Sequence, residues 1–306
     1  MRNKKYEDSI LKNATYLSVV TAIAILSAKL YAWLMTGSVS ILASLVDSFL
    51  DMSTSLINMI ALKFALSPPD NKHRFGHEKI QDLAAFGQGI FFIISGALVF
   101  ISAIINLGNY TPILNPNIGI YVMIFSIILT FILVAYQTFA LSKANSSIIE
   151  ADKLHYLTDL LSNITVIISI YLSHKYWYLD SVLAMVIASY LCYGAFKLII
   201  KSFKNLIDEE FPEKDKNKVL EVIKKYIKNG EIFSIHDLKT RRAGEKYFIQ
   251  FHIELDGGMK LSETHKITEK IEHEVLDVFP ESEIIIHQDP VGIDEPVSFN
   301  NDIKNN

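Results

Sequence analysis

Six apolar segments, running roughly over residues 13–35, 39–66, 80–107, 117–142, 148–173 and 177–203, approach or exceed the ~20 residues that a bilayer-spanning helix needs. They predict a multi-pass α-helical membrane protein with a six-helix transmembrane bundle. The connections alternate in charge. Arg2, Lys4, Lys5, Lys12, Lys63, Lys72, Arg74, Lys79, Lys143, Lys153, Lys197, Lys201 and Lys204 fall on one side, and the opposite loops hold only Lys175. By the positive-inside tendency both termini are expected in the cytoplasm. Lys29, near the outer end of the first span, is expected to snorkel. The first apolar segment, Ala14 to Met35, exceeds the ~7–15 residues of a signal-peptide core and reads as a retained span.

Two of the spans carry groups that lipid penalises. Asp47 and Asp51 sit four apart in Val39 to Ala65, and His155 and Asp159 repeat that spacing in the fifth span. A helix turns about 100° per residue, so positions i and i+4 lie nearly above one another and each pair presents two ligating groups on one face. Two such helices can close a four-ligand cage. A carboxylate at the bilayer centre costs roughly 2.5–3.5 kcal/mol on insertion scales, and a bound cation would offset that cost. A lone acid could instead serve only as a hydrogen-bond partner for a neighbouring helix, and Asn58 and Asn163 in the same spans are read that way. Two matched pairs are harder to explain so.

The turn between the second and third spans reads Ser67-Pro68-Pro69-Asp70-Asn71-Lys72-His73-Arg74-Phe75-Gly76-His77. Such a short Pro- and Gly-bearing turn can gather Asp70, His73 and His77 around an ion, and these ligand types suit zinc. A loop histidine is more often simply solvated. The single cysteine, Cys192, excludes an intrachain disulfide and a thiolate cluster.

Beyond Lys204 the pattern changes. Pro212 opens a helix with Val219, Val222, Ile223, Tyr226 and Ile227 on one face, and Gly230 ends it. Strands over 232–242 and 246–255 flank an Ala-Gly-Glu turn, and a helix near 261–278 precedes a strand at Glu283 to His287. This order predicts a small αββαβ domain, a sheet with helices on one face. From Asp208 onward there are 14 Lys/Arg against 22 Asp/Glu, whereas the first 207 residues hold 15 against 11. An acidic tail domain of net −8 attracts cations and argues against a nucleic-acid partner. The tail also holds His236, His252, His265, His287 and Asp289, five candidate ligands; His287 and Asp289 share a strand face that His252 could adjoin. His174 and His273 have no companions. The domains expected are 1–207 for the membrane part and 208–290 for the cytoplasmic part, with 291–306 a disordered tail.

Gly37-Ser38-Val39-Ser40-Ile41-Leu42-Ala43 leading to Asp47 and Asp51, the His73-Arg74-Phe75-Gly76-His77-Glu78-Lys79 run, His155 with Asp159, His236-Asp237-Leu238 and Ile286-His287-Gln288-Asp289-Pro290 resemble the cation diffusion facilitator family. The likeness covers about residues 10–290 and is strongest to bacterial ferrous-iron and zinc efflux pumps of the inner membrane. It implies a transport site at Asp47, Asp51, His155 and Asp159, a loop site at Asp70, His73 and His77, and a cytoplasmic two-metal site at His236, His252, His265, His287 and Asp289. It further implies a homodimer in which Lys79 and Asp208 form a charge pair between subunits. The activity implied is proton-coupled export of Zn²⁺, with Fe²⁺, Cd²⁺, Co²⁺ and Mn²⁺ as other ions that N/O ligands accept. Zn²⁺ or a similar ion would be both substrate and regulatory ligand. Two rivals follow from the residues. A metal-dependent membrane hydrolase would keep three zinc ligands and an open position, whereas four are available here. A membrane-anchored metal sensor would leave the acids in two spans without purpose.

Overall fold

The structure, a computed structural model, describes residues 4–36, 39–107, 116–172, 178–244, 246–292 and 303–304. The described residues fall into two compact units, one running to Phe203 and the other from Lys204 onward. His174, Lys175 and Glu245, which figure in the expectations above, lie outside the described residues.

The first unit is helical: α1 (Lys4–Thr36), α2 (Val39–Ala65), α3 (Lys79–Asn106), α4 (Pro116–Lys143), α5 (Ser147–Leu172) and α6 (Leu179–Leu206). All six expected spans are present. Where water is excluded each backbone N–H must find its carbonyl within the segment, so long apolar runs become unbroken helices. Among the described residues four stretches, Lys4–Met35, Lys79–Ile105, Tyr121–Lys143 and Ser181–Leu206, are long and apolar enough to cross a membrane. The other two helices, α2 and α5, are those that hold the paired ligand residues. Helix α1 starts earlier than the apolar pattern does, because Ile10 and Leu11 are already buried in a cluster with Leu62, Ala140, Ile148 and Ile149. Leu98, Ile101 and Ile105 on α3 and Ile128, Phe131 and Ile132 on α4 are exposed, as lipid-facing side chains would be. On its inner side α3 approaches α6 closely. A Cβ at Gly96 would lie 2.6 Å from Cys192 Sγ, and one at Gly89 would lie 2.5 Å from Ile199 Cγ1. Small residues permit this spacing, and a larger one would make Cys192 or Ile199, or the helices themselves, give way.

The second unit contains α7 (Glu213–Lys228), β1 (Ser234–Ala243), β2 (Lys246–Leu255), α8 (Leu261–Val278), β3 (Ser282–Pro290) and β4 (Ile303–Lys304). The αββαβ order is as expected, with Pro212 at the N-cap of α7 and Gly230 at φ +75° just past its end. Strand order is β3-β2-β1-β4; β1 and β2 pair antiparallel, and β2 and β3 pair parallel through the α8 crossover. Ile223, Phe251, Ile271 and Val275 are at the centre of its core. Tyr226 of α7 donates to Glu274 Oε1 of α8 at 2.8 Å, and Lys225 Nζ reaches Glu274 Oε2 at 3.0 Å. The two donors, Tyr226 first, hold the Glu274 carboxyl below its ordinary range. Burial, together with the carboxylate, pushes the Tyr226 hydroxyl up to about 12. Of the segment 291–306, Val291 N–H bonds Leu255 O at 2.9 Å, Gly292 follows in a turn and Ile303–Lys304 pairs with β1; residues 293–302 and 305–306 lie outside the described residues.

Candidate functional site

Helices α2 and α5 pack together, and Asp51 of the first i,i+4 pair meets both members of the second. Asp51, His155 and Asp159 each bring a ligand atom within 4.8 Å of the others. His155 Nε2 stands 2.9 Å from Asp51 Oδ1 and 3.5 Å from Asp159 Oδ2. One imidazole nitrogen thus faces two carboxylates, a donor set of one nitrogen and several oxygens that suits a borderline divalent cation. The ring is fixed by stacking on buried Phe92 of α3, with centroids 5.4 Å apart and planes 10° off parallel. Asp47, the fourth expected ligand, lines the same cavity of ≈ 540 Å³ but is exposed and does not join the tight cluster. Asn163 lines this cavity as well.

Sequence reasoning missed Asp152, one turn before His155. It is 2% exposed and fully provided with donors: Ser18 Oγ of α1 at 2.5 Å, Asn58 Nδ2 of α2 at 3.0 Å and Gln137 Nε2 of α4 at 2.7 Å. Gln88 of α3 donates in turn to Asn58 Oδ1, and Ser55 of α2 bonds Tyr156 of α5 at 2.8 Å. Three helices therefore donate to one carboxylate of α5 beside the cluster, a fourth joins through Gln88, and this buried network fixes the angle at which α5 presents His155 and Asp159. Asn58 bonds between helices, as expected. Lys29 differs from expectation. Instead of extending to a helix end, its Nζ crosses to α2 and donates to Ser44 O at 3.2 Å and Ser48 Oγ at 2.6 Å, because α1 and α2 are direct neighbours there.

The loop between α2 and α3 does gather Asp70, His73 and His77. His73 Nδ1 is 3.2 Å from Asp70 Oδ1, His77 Nε2 is 3.4 Å from Asp70 Oδ2, and the two rings are 4.7 Å apart. The backbone N–H groups of His73 and Lys72 donate to Asp70 Oδ1 and hold its carboxyl down at about 2, so it is ionised at any working pH.

In the sheet, register does the assembling. His236 of β1 pairs with His252 of β2, and His252 pairs with His287 of β3, so three imidazoles stand side by side across three strands. Asp289, two residues on from His287, shares its face. Its Oδ2 lies 2.9 Å from His252 Nδ1 and 3.5 Å from His236 Nε2, and its Oδ1 lies 3.1 Å from His287 Nε2. His236, His252 and Asp289 form the tight cluster, and the more exposed His287 flanks it. His265 is exposed on α8 and is not among the residues brought together. Asp237 was quoted in a motif but not anticipated as a site residue. A β-bulge between His236 and Lys239 sets Asp237 at φ +51° and brings its Oδ2 to 3.8 Å from His252 Nε2. Only the folded register reveals that approach.

A family model described as "Cation efflux transmembrane domain" matches residues 15–207, and one described as "Cation efflux protein, cytoplasmic domain" matches residues 207–291. Protein p34 of Rickettsia rickettsii (strain Sheila Smith) is 50% identical over 290 residues, covering 95% of this chain and 95% of its own length. The cation-efflux pump FieF of Shewanella oneidensis is 41% identical over 288 residues, covering 94% of this chain and 96% of its own. Among solved structures, the metal-bound C-terminal domain of the CzcD transporter from Thermotoga maritima is 30% identical, with a TM-score of 0.25, and covers 28% of this chain and 100% of that one.

Proposed function

We propose, from the premise that the chain belongs to the cation efflux family, that it exports divalent transition-metal cations from the cytoplasm in exchange for protons. Membership makes it a membrane-spanning cation transporter and not an enzyme of the ordinary kind. The finer reading rests on one observation: Asp51, His155 and Asp159, from two neighbouring helices, converge in a cavity that Asp47 also lines. These four residues are the transport site in this account. Zn²⁺ is the substrate the ligand set fits best, and Fe²⁺, Cd²⁺, Co²⁺ and Mn²⁺ are accepted by the same donors.

The coupling follows from ligand chemistry. Imidazole and carboxylates bind metal only when deprotonated, so metal and protons compete for one cage. An outward-facing cage meeting a more acidic exterior gives up its ion as protons arrive, and the protonated cage returns. Alternating access converts that competition into export, because each ligand shifts the conformer it binds better.

The protein works as a homodimer in the bacterial inner membrane with both termini in the cytoplasm, and Lys79 of one subunit pairs with Asp208 of the other. Within its own unit Asp208 already meets Arg241 at 3.4 Å. The cytoplasmic site at His236, His252, His265, His287 and Asp289 is regulatory: metal neutralises two acidic domains that otherwise repel, and draws them together. The loop residues Asp70, His73 and His77 hold a further ion. Uptake into proteoliposomes of the full chain, over a panel of Zn²⁺, Fe²⁺, Cd²⁺, Co²⁺ and Mn²⁺ with and without a pH gradient, tests the proposal. Gradient-stimulated uptake of at least zinc is expected; uptake indifferent to the gradient would refute the antiport.

A further inference from the structure

Ser44, Asp47, Ser48 and Asp51 are spaced i, i+3, i+4 and i+7 along α2, so they form one stripe facing the cavity. Lys29 of α1 lands on that stripe. Its Nζ donates to Ser44 O at 3.2 Å and to Ser48 Oγ at 2.6 Å, and Ser48 is 2% exposed. The same Lys29 lines the cavity with the transport ligands, and its charge faces Asp47, Asp51 and Asp159. A lysine that snorkels would carry its ammonium out to the headgroups, where the cost of a charge in lipid is relieved. This one is turned into the cavity and held on α2, beside three acids.

With Asp47, Asp51 and Asp159 ionised and His155 neutral, the cavity carries −3 from its ligands and +1 from Lys29. The sum, −2, is the charge that one divalent cation cancels. We propose that Lys29 is a built-in counter-charge that sets this balance: it lowers the cavity's hold on the ion enough for release. It touches no metal and acts through the field at the ligands, so it is a specificity and release residue. This inference rests on the transport-site reading above.

The experiment is zinc uptake by everted vesicles carrying the full chain, with KM and kcat measured separately for Lys29→Met, Lys29→Gln and Lys29→Arg. Removing the ammonium strengthens attraction for Zn²⁺ and slows its departure, so Lys29→Met is expected to lower KM and kcat each by roughly tenfold. Lys29→Gln keeps a donor for Ser48 without the charge and is expected to match Lys29→Met. Lys29→Arg keeps the charge and is expected to restore both constants to within about threefold of wild type. Should Lys29→Met fail to insert, the Gln and Arg variants carry the comparison. Wild-type constants in Lys29→Gln, or an equal loss in Gln and Arg, would overturn the counter-charge in favour of a tether or a packing role. Asp51→Ala in the same vesicles separates the two ideas: if it transports normally, the site reading fails; if it is dead while Lys29→Gln behaves as wild type, only this inference fails.

Discussion

The bundle and the sheet use the same ligand types in opposite ways. In the bundle, a spacing of four residues on α2 and α5 stacks ligands along each helix, and the packing of two helices closes the group. In the sheet, the ligands come one per strand, His236, His252 and His287, and strand register alone lines them up. Their supports differ as well. Behind the bundle cluster stands Asp152 with donors from Ser18, Asn58 and Gln137, whereas the sheet cluster is flanked by a single exposed histidine, His287. On the function proposed above, the bundle group changes occupancy in each cycle and needs a framework that can rearrange as one body around it, whereas the sheet group only senses and needs a fixed register.

Several variants would break or sharpen this contrast. Asp159→Asn removes a ligand from the enclosed cluster and is expected to weaken zinc binding there by roughly a hundredfold or more, beyond the 10–100-fold typical for losing an outer partner. Equilibrium dialysis of the full chain at several zinc concentrations would detect it, and unchanged high-affinity binding would dissolve the distinction between the two regions. Asp152→Ala touches no ligand but leaves three buried donors without their acceptor, which costs about 3 kcal/mol or more. A lowered thermal midpoint in detergent, with weakened uptake as α5 loses its set angle, is the expected result. A variant as stable as wild type would show that the network supports nothing.

His252→Ala cuts the middle of the three-strand row. It is expected to lower the zinc bound per chain while leaving proton-driven uptake detectable at about a tenth of the wild-type rate or better, as for a regulatory residue. Complete loss of flux would make the sheet part of the pathway. At the loop, Asp70 stays ionised until pH falls to about 2. Asp70 is held low in its folded setting, so its contribution is present at every pH above its unfolded value and is lost only in strong acid. In a chain carrying Asp159→Asn and His252→Ala, adding Asp70→Ala should therefore weaken zinc binding by the loop throughout pH 5 to 8, as equilibrium dialysis would show, and unchanged binding would remove Asp70 from that site. The smallest effect belongs to Tyr226→Phe between α7 and α8, where one hydrogen bond to a partly exposed Glu274 is worth about 1 kcal/mol at most.

What the sequence made legible follows from these geometries. The meeting of Asp51 with His155 and Asp159 was readable because helical periodicity is a local property, fixed by spacing within one segment. The αββαβ order was readable for the same reason. Asp152 was hidden by its surroundings, since Glu150 and Lys153 beside it make the start of α5 look like an ordinary charged flank. Its role emerges only when Ser18, Asn58 and Gln137 arrive from other helices. Lys29 was misjudged on similar grounds, because its nearest helix end is visible in sequence and its neighbour α2 is not. Asp237 depends on a bulge that no spacing announces. His265 illustrates the reverse case: it has the right residue type in the right segment, yet it stands apart from the cluster of its own chain.

The account's central claim, that the enclosed acids and imidazole carry the ion, is tested most directly by zinc uptake into proteoliposomes bearing the double variant Asp51→Ala and Asp159→Ala under an imposed pH gradient. The expected result is no gradient-dependent uptake above that of protein-free liposomes, from a protein that still inserts and still binds zinc at its cytoplasmic histidines. Uptake at the wild-type rate would contradict the claim and move the path of the ion elsewhere in the molecule.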